Sequence, residues 1–489
     1  MFTILPHISR VVFAGSIGFV CGIIWRSFYD LPNDILFFVV ALIGIGCTDV
    51  FYKKPKGWFV VIFLLGVCGG VFVMQERMAA IEKYRDAEGQ MITGEARVSD
   101  DLVQKQWYTE VRAQFEHGDI KVLIKDAKYP QISQGDILLL SCIASVPENI
   151  DEFDYHMYLA MHGVYYICSE YSYDVVGRRE TIGTHFATFR HVMEQIIDQS
   201  IPSPQAGLAN GLLFGGDDRL SDTIQKQFAR TGLTHVVAVS GYNVSVIIGA
   251  IMGMVIFCGA RRKMAVVLAI VGVVGFVFLI GFPSSGVRAA IMGIMVLVAA
   301  TFGRISQAYN AVFFVAALML LCNPLLLRYD VGFQLSFLAT LGIIFTYPFF
   351  ESFFVARKSS FGIFEIAALT ISAQVFVVPI IMYHFHTVAT LSLIANILVL
   401  PIIPFTMLAV FLLIVFSYIF PPVAMFCGWV AYFLLSYEIM IVRYCASISW
   451  SAIDVPHVYV WWVGVYYGIL ACILFYFHKK YEAKKNGHI

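Results

Sequence analysis

Apolar residues fall along this chain in two patterns: long unbroken runs at both ends, and short alternating stretches between them. Three runs open the sequence, Ile8 to Trp25, Ile35 to Tyr52 and Gly57 to Gln75. Each approaches the roughly 20 residues that carry a helix across a bilayer. Residues 89 to 175 differ. Ile120 to Ile124 and Ile137 to Cys142 alternate as half-buried strands do, with Gly118-Asp119 and Gly135-Asp136 as turn signals, which predicts a small β-domain. Residues 176 to 232 are mixed, predicting amphipathic connecting helices. Within them Ser221 to Arg230 sets Ile224 and Phe228 on one helical face beside Lys226 and Arg230, with Gly232 as a stop. Such a helix suits either the membrane surface or packing against the β-domain.

Apolar runs then recur over 233 to 258, 264 to 282, 286 to 303, 308 to 323, 331 to 350, 362 to 383, 387 to 420, 423 to 448 and 458 to 477. The predicted organisation is a three-helix membrane segment (1–75), a β-domain (89–175), connecting helices (176–232), a polytopic membrane domain (233–478) and a basic tail (479–489). With 59% hydrophobic residues, 13% charged and a mean hydropathy of +0.77, the fold class is an α-helical polytopic membrane protein with an inserted extracytoplasmic β-domain. No cleavage site of the small-residue type follows the first run, which reads as a span rather than a signal peptide.

Charge sets the expected orientation. Arg10 precedes the first run, and Lys53, Lys54 and Lys56 follow the second; Arg261-Arg262-Lys263, Arg304 and Arg357-Lys358 then fall in every second connection. Cytoplasmic loops concentrate Lys and Arg, so both termini are expected inside and the β-domain outside. The tail lysines Lys479, Lys480, Lys484 and Lys485 want the cytoplasm, which requires an odd number of crossings between His386 and Pro421. One solution makes the Val388 to Leu400 run, cut by Pro401 and Pro404, re-entrant.

Polar groups inside these runs are the candidate chemistry. The 233 to 258 run holds no formal charge, yet Ser240, Gly241, Tyr242, Asn243 and Ser245 lie together in it. Hydrocarbon offers loosened backbone no partners, so such a patch persists only where protein or a wet cavity covers it. A substrate path and a helix-packing contact are both open readings. Polar pairs four apart share a helix face at Asp330 and Gln334, Thr370 and Gln374, and Ser392 and Asn396. In Gly281-Phe282-Pro283-Ser284-Ser285-Gly286-Val287-Arg288 a helix break sets a guanidinium near the start of a span. Free N–H groups there, with Arg288, make a candidate anion contact; the alternative is an arginine snorkelling to the interface.

Several chemistries lack their residues. No G-x-x-x-x-G-K-[ST] loop occurs, so energy is expected from a partner or a gradient. His384-Phe385-His386 is followed by Thr387, Val388 and Ala389, with no third ligand, and no metal or other cofactor is expected. Ala238-Val239-Ser240-Gly241 is one glycine short of an intramembrane protease motif and has no activating histidine in a matching context, so no catalytic residue is assigned. Eight of the ten cysteines lie in apolar segments; Cys142 and Cys168 fall in the β-domain, where a disulfide and two buried thiols are both open.

The motifs Gly211-Leu212-Leu213-Phe214-Gly215 and Phe228-Ala229-Arg230-Thr231-Gly232-Leu233-Thr234-His235, running into Val239-Ser240-Gly241, are followed in order by Pro283 to Arg288, Asp330-Val331-Gly332-Phe333-Gln334-Leu335-Ser336-Phe337 and Asn396 to Pro404. Together they resemble the competence region of the ComEC family, bacterial inner-membrane proteins of DNA uptake. Phe153-Asp154-Tyr155 and Tyr158-Leu159 resemble the end of that family's OB-like domain. The resemblance covers nearly the whole chain and implies a cytoplasmic-membrane channel that passes single-stranded DNA during natural transformation. It places Ser240-Gly241 at a central broken span and Asp330, Gly332, Phe333 and Gln334 in a channel segment.

On this reading the path comprises Ser240, Gly241, Tyr242, Asn243, Arg288, Asp330, Gln334, Gln374 and Asn396. The expected partners are single-stranded DNA, membrane lipid, a separate DNA receptor, a cytoplasmic ATPase motor, a nuclease and further copies of the chain. Two features depart from the family. Members usually carry Leu-His after Ser-Gly, where this chain has Tyr242-Asn243, so no proton or metal role is expected at that position. Many members continue into a metallo-β-lactamase-like domain; here the sequence reaches Ile489 soon after the last run, and a nuclease is expected as a separate protein. Between Gly89 and Val146 six Lys/Arg stand against eight Asp/Glu, a poor balance for tracking phosphates. Trp107, Tyr108 and Phe115 either stack bases, as OB-fold faces do, or serve as core and loop aromatics.

Overall fold

The computed structural model describes residues 5–29, 57–84, 88–100, 102–104, 107–116, 120–126, 132–149, 153–216, 218–301, 308–354 and 363–485. The second predicted run, the Lys53–Lys56 cluster, the Gly118-Asp119 turn, Arg304 and Arg357-Lys358 lie outside these residues. In chain order the elements are α1 (Leu5–Phe28), α2 (Gly57–Lys83), β1 (Met91–Val98), β2 (Val103–Gln104), β3 (Thr109–Phe115), β4 (Lys121–Asp126), β5 (Asp136–Ser145), α3 (Tyr155–Met161), β6 (Val164–Arg178), α4 (Ile182–Ser200), α5 (Gln205–Phe214), α6 (Asp222–Thr231) and α7 (Thr234–Val237). There follow α8 (Gly241–Phe257), α9 (Arg262–Leu279), α10 (Ser284–Thr301), α11 (Ala308–Cys322), α12 (Leu326–Tyr329), α13 (Val331–Phe354), α14 (Ile363–Phe385), β7 (Thr387–Ala389), α15 (Ser392–Val399), α16 (Ile403–Ile419), α17 (Pro421–Ser447), β8 (Ala452–Asp454) and α18 (Val460–Lys485). Among the described residues six helices are long and apolar enough to cross a membrane, and α15 with α16 qualifies as a pair bent by 46°. The chain divides into two compact units, Met1–His191 with Ala250–Phe333, and Val192–Gly249 with Gln334–Ile489.

In the first unit α1 and α2 meet along glycines. A Cβ placed on Gly18 or Gly22 would lie 2.1 Å from the carbonyl oxygen of Phe63 or Val67, and one on Gly70 2.2 Å from that of Phe19. Only glycine allows backbones to approach so closely, as small-residue motifs do in membranes. The contacts advance together along both helices, so α1 and α2 run parallel and enter from the same face, as a three-span opening requires. Phe13 adds edge-on contacts to Tyr309 and Phe313 of α11, at 5.3 and 5.5 Å. Helix α2 runs past the expected boundary at Gln75 to Lys83, and its last two turns carry Glu76, Arg77 and Glu82.

That domain is a closed barrel. β1 pairs antiparallel with β3 and β5, β3 with β4, and β5 with β6, while β4 and β6 pair in parallel. The circuit β1-β3-β4-β6-β5-β1 leaves no open edge, which is the OB-like solution to the edge-strand problem. Alternation builds it: Thr109, Val111, Ala113 and Phe115 of β3 point inward and are buried, as are Leu138, Leu140, Cys142 and Ala144 of β5. The predicted Gly135-Asp136 turn is present, with Gly135 at φ 91° and Asp136 accepting from the Ser133 N–H at 2.7 Å.

Helix α3 ties the barrel to the membrane helices. Asp154 caps its start, accepting from the Met157 N–H at 3.1 Å. Its last carbonyls have no partner within the helix, and here Arg77 of α2 donates to Ala160 O at 3.2 Å and Asn323 to Met161 O at 2.8 Å. A cation at the negative end of the helix adds to the hold.

In the second unit the predicted amphipathic helix forms as α6, ended by Gly232 at φ 71°. Its apolar face is turned inward: Ile224, Phe228 and Thr231 are buried, and it packs against α17. The stretch expected to be re-entrant forms α15, which joins α16 at a bend of 46°, a geometry shared by broken spans and re-entrant segments. Strand β7 pairs with β8, so the end of α14 and the start of α18 lie on one face of the membrane. Between them α17 crosses once; α15 and α16 together therefore supply a single crossing, which gives the odd number that the tail lysines demand.

Candidate functional site

Arg288, one turn into α10, is only 2% exposed, so it does not snorkel. Its Nη1 lies 3.6 Å from Asp330 Oδ2 and 3.4 Å from Ser284 Oγ, and its Nη2 donates to Gly332 O at 2.9 Å. Asp330 is the N-cap of α13: Oδ1 accepts from the Phe333 N–H at 3.0 Å and Oδ2 from Ser284 Oγ at 2.8 Å. Phe333 lies under the guanidinium, its ring centre 5.9 Å from Cζ. Each charge solves a problem of the other, because a lone ion here would be strongly disfavoured and a buried pair with extra hydrogen bonds is tolerated. Arg288 Nε alone is left without a hydrogen-bond partner.

The segment Leu325 to Asp330 contacts α3, so this pair sits at the barrel-facing end of the membrane helices. His162, just after α3, feels the Asp330 charge from there. Burial pushes its imidazole below the usual range, Arg112 adds to the push, and Asp330 opposes it.

In the second unit the 233 to 258 run is two helices, α7 and α8, parted by extended residues at Ala238–Ser240. The break is spliced to α5. Asn243, 1% exposed, donates from Nδ2 to Leu212 O at 3.1 Å, one of the carbonyls that the end of α5 leaves free, and its Oδ1 accepts from Ser240 Oγ at 3.2 Å. Gly215, at φ 82°, closes α5 where a side chain would meet Val239, with a Cβ only 2.7 Å from it. The Gly211–Gly215 motif is thus a seat for the broken span. Gly241, Tyr242 and Ser245 are exposed on the first turns of α8.

A second discontinuity lies at Leu400-Pro401-Ile402. Pro404 has no N–H for Leu400 O, and Ile402 N–H bonds Val399 O rather than Leu398 O. Two tyrosines supply what is missing: Tyr242 donates to Leu400 O at 3.2 Å and Tyr437 to Leu398 O at 3.3 Å. The predicted polar residues are shared out among separate contacts. Gln374 of α14 bonds Ser392 of α15, Gln334 faces His384 at 3.2 Å, and Asn396 is buried with its Oδ1 unpartnered. His386 turns away from His384 to meet His457 at 3.3 Å. Sequence reading missed Glu438 and Thr406, 1% and 0% exposed, which meet at 2.6 Å between α17 and α16. Their signal was present, since Glu438 is the lone acidic residue of the α17 span.

On the barrel, Trp107 is 80% exposed, and Tyr108 lies beneath Lys125 at 5.5 Å. Phe115 is a correction: it is 5% exposed inside the barrel, packed near Gly94, and offers no face for a base. Tyr155 and Tyr158 of α3 pack over Leu123, so the outer face of β3 and β4 is partly covered. Burial, and next the Glu110 carboxylate, push the Tyr155 phenol up to about 12. Cys142 and Cys168 stand on neighbouring strands, Cα atoms 5.4 Å apart, joined as a disulfide. Among the described residues no group of three or more His, Cys, Asp or Glu side chains is placed to hold a metal ion.

These elements define a polytopic membrane protein with a closed β-barrel inserted after its opening spans and discontinuous helices in its C-terminal part. The profile of the Competence protein family matches residues 212–480, more than half of the chain, and the chain belongs to that family. It is similar to the ComE operon protein 3 of Bacillus subtilis (strain 168), 26% identical over 234 residues, which cover 48% of this chain and 29% of that relative's length. No solved structure matches.

Proposed function

We propose that this protein is a channel of competence DNA uptake that passes single-stranded DNA across the cytoplasmic membrane without a motor of its own. The observation that carries the reading is the family match, because it spans both helix discontinuities, Ala238–Ser240 and Leu400–Ile402. Discontinuous spans expose helix ends and polar groups at membrane depth, which is how transporters build substrate sites. Gly241, Tyr242 and Ser245 are exposed at the first break, and in the first unit Arg288, with its free Nε, is a buried cation in the first turns of α10. Positive loops put both termini in the cytoplasm and the barrel outside, where it would meet incoming DNA first. The ion-paired state of Arg288 supports a role in holding the start of α13 more than direct phosphate binding.

The test is transport in vesicles holding the full chain, with labelled single-stranded oligonucleotide compared against labelled small anions. Entry of the oligonucleotide, reduced by Tyr242→Ala with the protein still inserted, is the expected result. Entry of small anions alone would replace DNA by an anion substrate.

A further inference from the structure

Helix α17 buries one acidic side chain, Glu438, at 1% exposure in a span that is apolar and aromatic apart from Ser436, Arg443 and Ser447. Its Oε1 lies 2.6 Å from Thr406 Oγ1, and its Oε2 has no hydrogen-bond partner. The same Thr406 hydroxyl lies 3.3 Å from Ile402 O, at the bend between α15 and α16. Among the described residues no cation faces the carboxyl. Of the helices packed on α17, α5 and α15 carry no titratable side chain, and α16 carries only Tyr418, which is 66% exposed. The fourth neighbour, α6, keeps Asp222, Lys226 and Arg230 on its exposed side. On α17 itself Arg443 is exposed and five positions along, on another face. Its remaining titratable side chains are Tyr432, Tyr437, Tyr444, Cys427 and Cys445, with Tyr437 engaged at Leu398 O.

Proton counting decides between two states. A hydroxyl has one hydrogen to give. If Glu438 were ionised, Thr406 could serve either the carboxylate or Ile402 O, and Oε2 would stay bare with a share of full charge, a strongly unfavourable arrangement in a span. With a proton on Oε1, Glu438 donates to Thr406 Oγ1 and Thr406 donates to Ile402 O. Both contacts are then made, and Oε2 is a neutral carbonyl oxygen. We propose that Glu438 is a proton-binding site, a carboxylic acid whose proton completes the chain Glu438–Thr406–Ile402 and fastens the bent span to α17. Release of that proton breaks the chain at the bend and frees α16 to move against α17. This holds whatever substrate the protein carries.

The measurement is infrared spectroscopy of the full-length protein in lipid. The carbonyl band of a protonated carboxylic acid is expected at neutral pH in the wild type and missing in E438Q, whose amide donates to Thr406 from the same place and keeps the fold. The E438Q thermal midpoint should also lose the decline that the wild type shows as pH rises above the ordinary glutamate value of about 4.3. A flat difference spectrum between wild type and inserted E438Q overturns the proposal. If E438Q does not insert, Thr406→Val decides: a shift of the band is the expected result, and an unmoved band counts against the chain.

Discussion

Arg288 and Asp330 hold each other where neither charge would be stable alone, and each also satisfies backbone at the start of α13. Removing one partner leaves an uncompensated buried ion, at about 3–5 kcal/mol. Arg288→Met and Asp330→Asn are each expected to lower thermal stability by that order, and the double substitution to lose much less than the sum, as a double-mutant cycle in detergent would read. Additive losses would mean that the two side chains do not interact. At His162 the sign follows from its lowered folded-state value. The unfolded chain takes up a proton first, so stability is whole above the ordinary histidine value of about 6.5 and is lost as pH falls below it. The drop in thermal midpoint between neutral and mildly acidic pH is expected to shrink in His162→Gln; an unchanged drop would assign it to other groups. Both residues were visible in the sequence, Arg288 as a cation beside a break and Asp330 as an acid at a run's start. Their pairing across 42 positions leaves no local pattern, and neither does the approach of α3 that brings His162 to them.

At the scale of elements, the two breaks were legible because each has its own residues. Ser240-Gly241 and Pro401 with Pro404 announce loosened backbone whatever surrounds them. What covers that backbone was not legible, since Tyr242 meets Leu400 O across 158 positions and Asn243 meets Leu212 O across 31. The same limit explains α6: an amphipathic pattern states that one face is apolar and is silent on whether lipid, barrel or α17 covers it. Parity around Pro401 could be posed from charge but was resolved by the β7–β8 pairing. If Tyr242 serves as a clasp on the bent span, Tyr242→Phe should cost about 1 kcal/mol, the worth of one neutral hydrogen bond, measured as a lower unfolding midpoint. No loss of stability would show that water or lipid headgroups satisfy Leu400 O as well.

For the whole molecule, the division into spans, barrel and later spans followed from hydrophobic period, because runs and alternation answer to different solvents. Closure of the barrel did not, since β1 with β3 and β4 with β6 are joined by register between distant strands. The site residues split likewise: those picked for polarity inside apolar runs are mostly engaged in helix-to-helix contacts, and Glu438 was passed over because it stood without a polar companion at helical spacing. The central claim is DNA passage, and import of labelled single-stranded DNA into competent cells tests it most directly, in the deletion strain and after complementation with wild type or Arg288→Ala at matched membrane abundance. The account predicts that deletion abolishes import, that wild type restores it and that Arg288→Ala restores little of it. Import at the wild-type level in the deletion strain would contradict it.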